Sequence, residues 1–170
     1  MFRLLKASEI DVRIAMVKES GVSLLLYKDA RCDMNILDET VGEMNWIRSH
    51  TRENANCIVS IWDKDKGVWV SKEDTGTESF TEKEKGLASD SFKRACFNWG
   101  IGRELYTAPF IWINKDKCTI NVSEYQGKKK YTCSDSFYVS QIFYDSERNI
   151  EKLAINNTKT RKNVFVYPSK

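Results

Sequence analysis

Ala88, Phe92, Ala95, Cys96 and Trp99 fall at i, i+4, i+7, i+8 and i+11, and Gly100 follows at once. That spacing puts five apolar side chains on one face of a helix, and glycine in that place is the usual left-handed stop. Thr81-x-x-Glu84 just ahead has the form of a capping box. A helix with one apolar stripe must be laid against something, and the segments around it alternate as strands do. The expected class is therefore α+β.

The strand signals are specific. Ile10, Val12, Ile14 and Met16 share one face of an alternating run, and Glu19-Ser20-Gly21 turns it into Val22–Lys28, so residues 9–28 read as a β-hairpin. Asp29 is placed to cap a first helix whose stripe is Ala30, Met34, Leu37, Val41 and Met44, ending near Gly42 and Asn45. Trp46–Thr51, Asn56–Asp63 and Val68–Asp74 follow as a three-stranded meander, with Asp63-Lys64-Asp65-Lys66-Gly67 as one of its turns. Beyond the second helix, Ala108–Ile113, Phe137–Tyr144, Asn149–Asn156 and Asn163–Tyr167 read as strands. Segment 115–135, with Gln126-Gly127-Lys128-Lys129-Lys130, is turn-rich and carries no clear pattern.

Several function classes lose support here. The formal net charge is only +3 across 170 residues, so a nucleic-acid site must be a local patch rather than a bulk field. The longest apolar runs fall well short of the roughly 18 residues a membrane span needs, and residues 1–6 lack a signal-peptide pattern, so a cytoplasmic chain without a membrane partner is expected. Cys32, Cys57, Cys96, Cys118 and Cys133 are odd in number and widely spaced, and His50 is the single histidine. This is not a zinc knuckle, and reduced, mostly buried thiols are expected. Gly100-Ile101-Gly102-Arg103-Glu104-Leu105 ends a helix rather than opening one, so it is no dinucleotide fingerprint. No phosphate-binding Walker loop is present, and no cofactor is expected. A two-metal nuclease built on acids such as Glu73 and Asp74 remains an alternative.

On the second helix, Lys93 flanks the apolar stripe, whereas Arg94, Asp90 and Phe97 lie on its outer side at about 100° per residue. Two readings stay open. The face is either solvated with one stray aromatic, or a surface where cations hold phosphates while the ring stacks on a base or a neighbouring subunit.

Two segments carry a resemblance. Ala30-Arg31, Met34, Leu37-Asp38-Glu39, Val41-Gly42 and Asn45-Trp46 are similar to the opening helix of phage annealing proteins. Lys85-Gly86, Ser89-Asp90, Lys93-Arg94-Ala95, Trp99-Gly100-Ile101-Gly102-Arg103 and Leu105-Tyr106 resemble the signature helix of the same family. That family contains Sak-type phage recombinases, DdrA-like repair proteins and the eukaryotic Rad fifty-two mediator. The resemblance covers about residues 9–113.

The resemblance implies a β-β-β-α annealing core within residues 1–113, preceded by the hairpin and first helix. Residues 114–170 would form a β-rich C-terminal extension. It implies a ring-forming homo-oligomer that binds single-stranded DNA and anneals complements without ATP, in recombination or repair, phage- or prophage-encoded. Such a protein is not an enzyme, and a single-strand-binding protein is a further expected partner. Lys93 and Arg94 match the DNA-contacting pair of the eukaryotic relatives, and Arg31 matches a groove residue on the first helix. Lys83, Lys85, Phe97 and Arg103 complete the expected DNA-binding set. One departure stands out: where the eukaryotic proteins carry another Arg, this chain has Phe97. A nucleic-acid-binding module without annealing activity is the other alternative, since a small sheet with a basic helix serves both.

Overall fold

The computed structural model describes residues 1–77 and 83–168, and only the backbone of Lys83, Glu84, Lys85 and Tyr125. It is α+β, mostly strands with two helices. The strands are β1 (Asp11–Lys18), β2 (Gly21–Tyr27), β3 (Trp46–Thr51), β4 (Asn56–Asp63), β5 (Val68–Thr75), β6 (Ile111–Asn114), β7 (Ile120–Tyr125), β8 (Lys128–Cys133), β9 (Phe137–Tyr144), β10 (Ile150–Asn157) and β11 (Asn163–Tyr167). The helices are α1 (Ala30–Val41) and α2 (Lys83–Asn98). Among the described residues, no helix is long and apolar enough to cross a membrane. The capping box at Thr81 lies outside the described residues.

The chain forms two compact units. The first holds Met1–Leu4 and Lys28–Arg103; the second holds Leu5–Tyr27 and Glu104–Lys170. The unit boundaries do not follow a cut at residue 113, because β2 pairs with β6 and β1 with β9, both in the second unit.

In the first unit, β3, β4 and β5 form an antiparallel meander with β4 in the centre. One face carries Cys57, Val59 and Ile61, all buried, and receives Phe92, Ala95 and Cys96 of α2. These are the residues of the helical stripe, and their burial is what holds helix to sheet. Phe92 stacks on Trp46 at 6.0 Å between ring centroids, and the Arg48 guanidinium lies 4.9 Å from the Phe92 ring centroid. Past the end of β5, Gly76 donates its N–H to Ala55 O at 2.8 Å and runs against the backbone of Ser91. A side chain at residue 76 would collide with helix α2, so only glycine lets the strand come that close.

Helix α1 is capped as expected: the Asp29 carboxylate accepts the Cys32 N–H at 2.8 Å, and Gly42 ends the helix at φ +90°. Its buried face differs from the expected stripe. Cys32, Asp33, Ile36 and Leu37 point inward, whereas Met44 lies past the helix end and is 88% exposed. Gly42 stops the helix before Met44 can join the face, and a buried cation, described below, draws Asp33 inside.

In the second unit, a six-stranded sheet runs β11-β10-β9-β1-β2-β6. It curls until edge strands β6 and β11 come within 8 Å of each other, Cα to Cα. Val22, Leu24, Ile111, Ile113, Phe137, Val139, Leu153 and Ile155 form its core. The alternation expected of β1 breaks near its end. A bulge between Ile14 and Met16 leaves Ala15 unpaired and turns Met16 outward, and Val17 pairs with Val22 instead. Segment 115–135 holds the separate antiparallel hairpin β7–β8.

Candidate nucleic-acid interface

The cations expected to hold DNA take different positions in the first unit. Arg94 is exposed on the outer side of α2, where its Nε lies 3.5 Å from Asp74 Oδ1 on β5. Arg103, past the helix end, donates from Nε to Phe97 O at 2.6 Å and from Nη2 to Asn98 O at 2.9 Å. These are carbonyls at the end of a helix, which lack intrahelical donors and attract positive charge.

A third cation joins them that sequence reasoning missed. Lys72, on β5, donates from Nζ to the same Asn98 O at 2.7 Å and lies 4.5 Å over the Trp99 ring. Trp99 is itself fixed by its indole N–H, which donates to Val59 O at 3.0 Å. The Asn98 amide returns toward β5, donating to Glu73 O at 2.9 Å. So Lys72, Arg94 and Arg103 gather around the C-terminal end of α2, with Asp74 as the carboxylate among them. The alternation in β5 contained the signal: Val70, Lys72 and Asp74 share the face that packs on α2.

Lys93 and Phe97 lie one turn apart on the other flank of α2. Lys93 is half-buried, pairs with Asp90 at 3.7 Å and is near enough to Asp33 to favour its ionised form. Phe97 corrects the helical-wheel placement. It is half-buried rather than outward, and the Lys28 ammonium sits 5.2 Å from its ring centroid. Asp90 is likewise engaged, accepting the Thr77 N–H at 2.9 Å.

Lys28 and Asp33 are the unforeseen pair. Both are almost fully buried, and the Lys28 ammonium donates to both carboxylate oxygens, 2.6 Å to Oδ2. Burial outweighs the lysine's pull and raises the Asp33 carboxyl to about 6. Gly102, at φ +77°, passes directly over the Lys28 methylenes, where any side chain would collide with them. The Gly100-Ile101-Gly102 sequence thus does a packing job, closing over a buried lysine, and Ile101 is buried beside it.

Arg31 stands on the exposed side of α1, its Nε 3.1 Å from Asp29, and shares no partner with the cations at the end of α2. The backbone of Lys83 and Lys85 belongs to the first turn of α2; their side chains lie outside the described residues.

The chemistry of rival sites is poorly housed. Glu73 and Asp74 are neighbours on one strand, so their side chains leave opposite faces of it. Glu73 accepts from the Asn56 amide while Asp74 turns to Arg94. No three His, Cys, Asp or Glu side chains come together as a metal cluster among the described residues. Ser91 Oγ lies 3.4 Å from His50 Nδ1, but Ser91 is fully buried and donates to the backbone. Burial and the Arg48 charge push the His50 imidazole below its ordinary value. All five cysteines are free, and burial pushes the Cys57 thiol up to about 11, away from thiolate chemistry. Comparison with protein-family models, with curated proteins and with solved structures found no match to this chain.

Proposed function

We propose that this chain binds single-stranded DNA through the outer side of α2 and anneals complementary strands without ATP, in recombination or repair. The observation that carries this reading is the gathering of Lys72, Arg94 and Arg103 at the exposed end of α2. Lys93 and Arg31 extend positive charge along the same unit. Cations held in place by carbonyls and one carboxylate can exchange those partners for phosphates at little entropic cost. Counterions released from DNA then supply an affinity that ignores sequence. Nothing in the cluster reads base edges, which suits a protein whose bound strand must stay free to pair.

The open edges of the meander support assembly into a ring. The outer edges of β3 and β5 have no strand partner among the described residues, and unpaired edges invite pairing with another chain. The early hairpin, in contrast, already has a strand partner on each side, β9 at Asp11 and β6 over Gly21–Leu24. Since β3 and β5 both run antiparallel to β4, a head-to-tail neighbour would pair β5 with β3 in parallel.

Two labelled complementary oligonucleotides mixed with the protein, without nucleotide, provide the test. Pairing is expected to accelerate well beyond the spontaneous rate. Tight binding with no acceleration would leave a passive nucleic-acid module, and magnesium-dependent cleavage would leave a nuclease; either overturns the annealing reading.

A further inference from the structure

Residues 115–133 hold Lys115, Lys117, Lys128, Lys129 and Lys130 against only Asp116 and Glu124. That excess equals the formal net charge of the whole chain, so the remainder is neutral by count. The same segment builds β7–β8, a two-stranded hairpin outside both larger sheets, and none of its described side chains is buried. A lone hairpin is marginally stable, and this one adds nothing to either core, so packing does not account for it.

Its two faces are unequal. The register pairs Glu124 with Lys129, Val122 with Tyr131 and Ile120 with Cys133 on one face. That face turns toward β1: the Tyr131 hydroxyl donates to Glu19 Oε2 at 3.0 Å. Lys129 therefore has Glu124 directly across from it and Glu19 on its side. The other face carries Asn121, Ser123, Lys128, Lys130 and Thr132, with no acidic residue among them. Lys128 and Lys130 stand about 6.8 Å apart along the strand, fully in water, with hydroxyl and amide side chains beside them.

We propose that this face of β7–β8 is a second nucleic-acid contact, an arm on which Lys128 and Lys130 hold backbone phosphates. It rests on the nucleic-acid reading above but uses different residues in the other compact unit. Point charges on a ribbon with neighbouring hydrogen-bond donors fit a polyphosphate strand and give position without sequence preference. Because the lysines carry little structural duty, the arm's contribution should be separable from folding.

The test is the salt dependence of binding to a fluorescent single-stranded oligonucleotide. Lys128→Gln/Lys130→Gln should lower the slope of log affinity against log salt by about 1.4, at about 0.7 for each phosphate contact on single strands. Lys129→Gln should change it by less than half as much, and Lys128→Arg/Lys130→Arg should keep the parent slope. On the unmodified protein, bound oligonucleotide should protect Lys128 and Lys130 from acetylation more than Lys129. A parent-like slope in the double Gln variant, equal effects of Lys129→Gln, or a loss seen only on anionic phospholipid vesicles would overturn the arm. Lys93→Ala/Arg94→Ala in the same assay separates the two claims. If it alone weakens binding, the arm fails and the helix site stands. If only the hairpin variant weakens binding, the reverse holds. A parent that binds no oligonucleotide overturns both.

Discussion

A lysine and an aspartate buried together, such as Lys28 and Asp33, are held by each other rather than by water, and removing one strands the other. Lys28→Met alone should cost about 3–5 kcal/mol, while Lys28→Met/Asp33→Leu should recover most of it, measured by urea unfolding. The pair also has a pH signature. The Asp33 carboxyl is raised from 3.8 to about 6 in the fold, so between those values the folded chain binds the extra proton. Its contribution is full below about pH 4 and is lost as pH rises through 6, by on the order of 3 kcal/mol at most. Asp33→Asn should remove that decline from the stability profile; a decline of the same size in the variant would assign it elsewhere. Lys93 and Arg94 have less structural duty. Lys93→Ala/Arg94→Ala should cost under about 0.5 kcal/mol at exposed Arg94 and about 1 kcal/mol at half-buried Lys93. It should nonetheless weaken single-strand binding evenly across sequences, with a smaller salt slope by anisotropy titration. Unfolding of that variant would mean that the ion pairs with Asp90 and Asp74 matter more to the fold than to binding. None of the buried pair was legible in the sequence, because a charge in an amphipathic pattern reads as facing water.

At the level of elements, helix α2 was legible because its stripe needs only local spacing, and the meander because three alternating runs sit one turn apart. Helix α1 was legible in its extent and cap but not in its face, which depends on a lysine outside the helix. The bulge in β1 was invisible, since one unpaired residue leaves the apolar count of the strand unchanged. Hairpin β7–β8 was missed because exposed strands lack the alternation that burial imposes. In the candidate site, Arg94 and Arg103 could be read from the sequence, whereas Lys72 needed the strand register to bring it to them. The passage of Gly76 across α2 gives a prediction at this scale. Gly76→Ala should destabilise the first unit by about 1–3 kcal/mol through overpacking, read as a lower urea midpoint. Unchanged stability would mean that β5 and α2 separate without cost.

For the molecule as a whole, the open edges of β3 and β5 predict a closed multimer, several times the 19.7 kDa chain mass by native mass spectrometry. A strictly monomeric protein at micromolar concentration, with and without DNA, would end the ring proposal. The order of the chain through its two units has a consequence for synthesis. The first unit occupies residues 28–103 as an almost continuous piece, whereas the second is begun before it and finished after it. On a ribosome, the meander and its helix can fold as soon as they emerge. Strands β1 and β2 must wait as a bare hairpin until Ile111 of β6 arrives, roughly 84 residues after Tyr27, or about 4–17 s at about 5–20 residues per second, and β1 waits on for β9. During that interval two strand edges stand unpaired in the nascent chain, so the step most exposed to chaperones and to aggregation belongs to strands made before the first unit, not to those made after it.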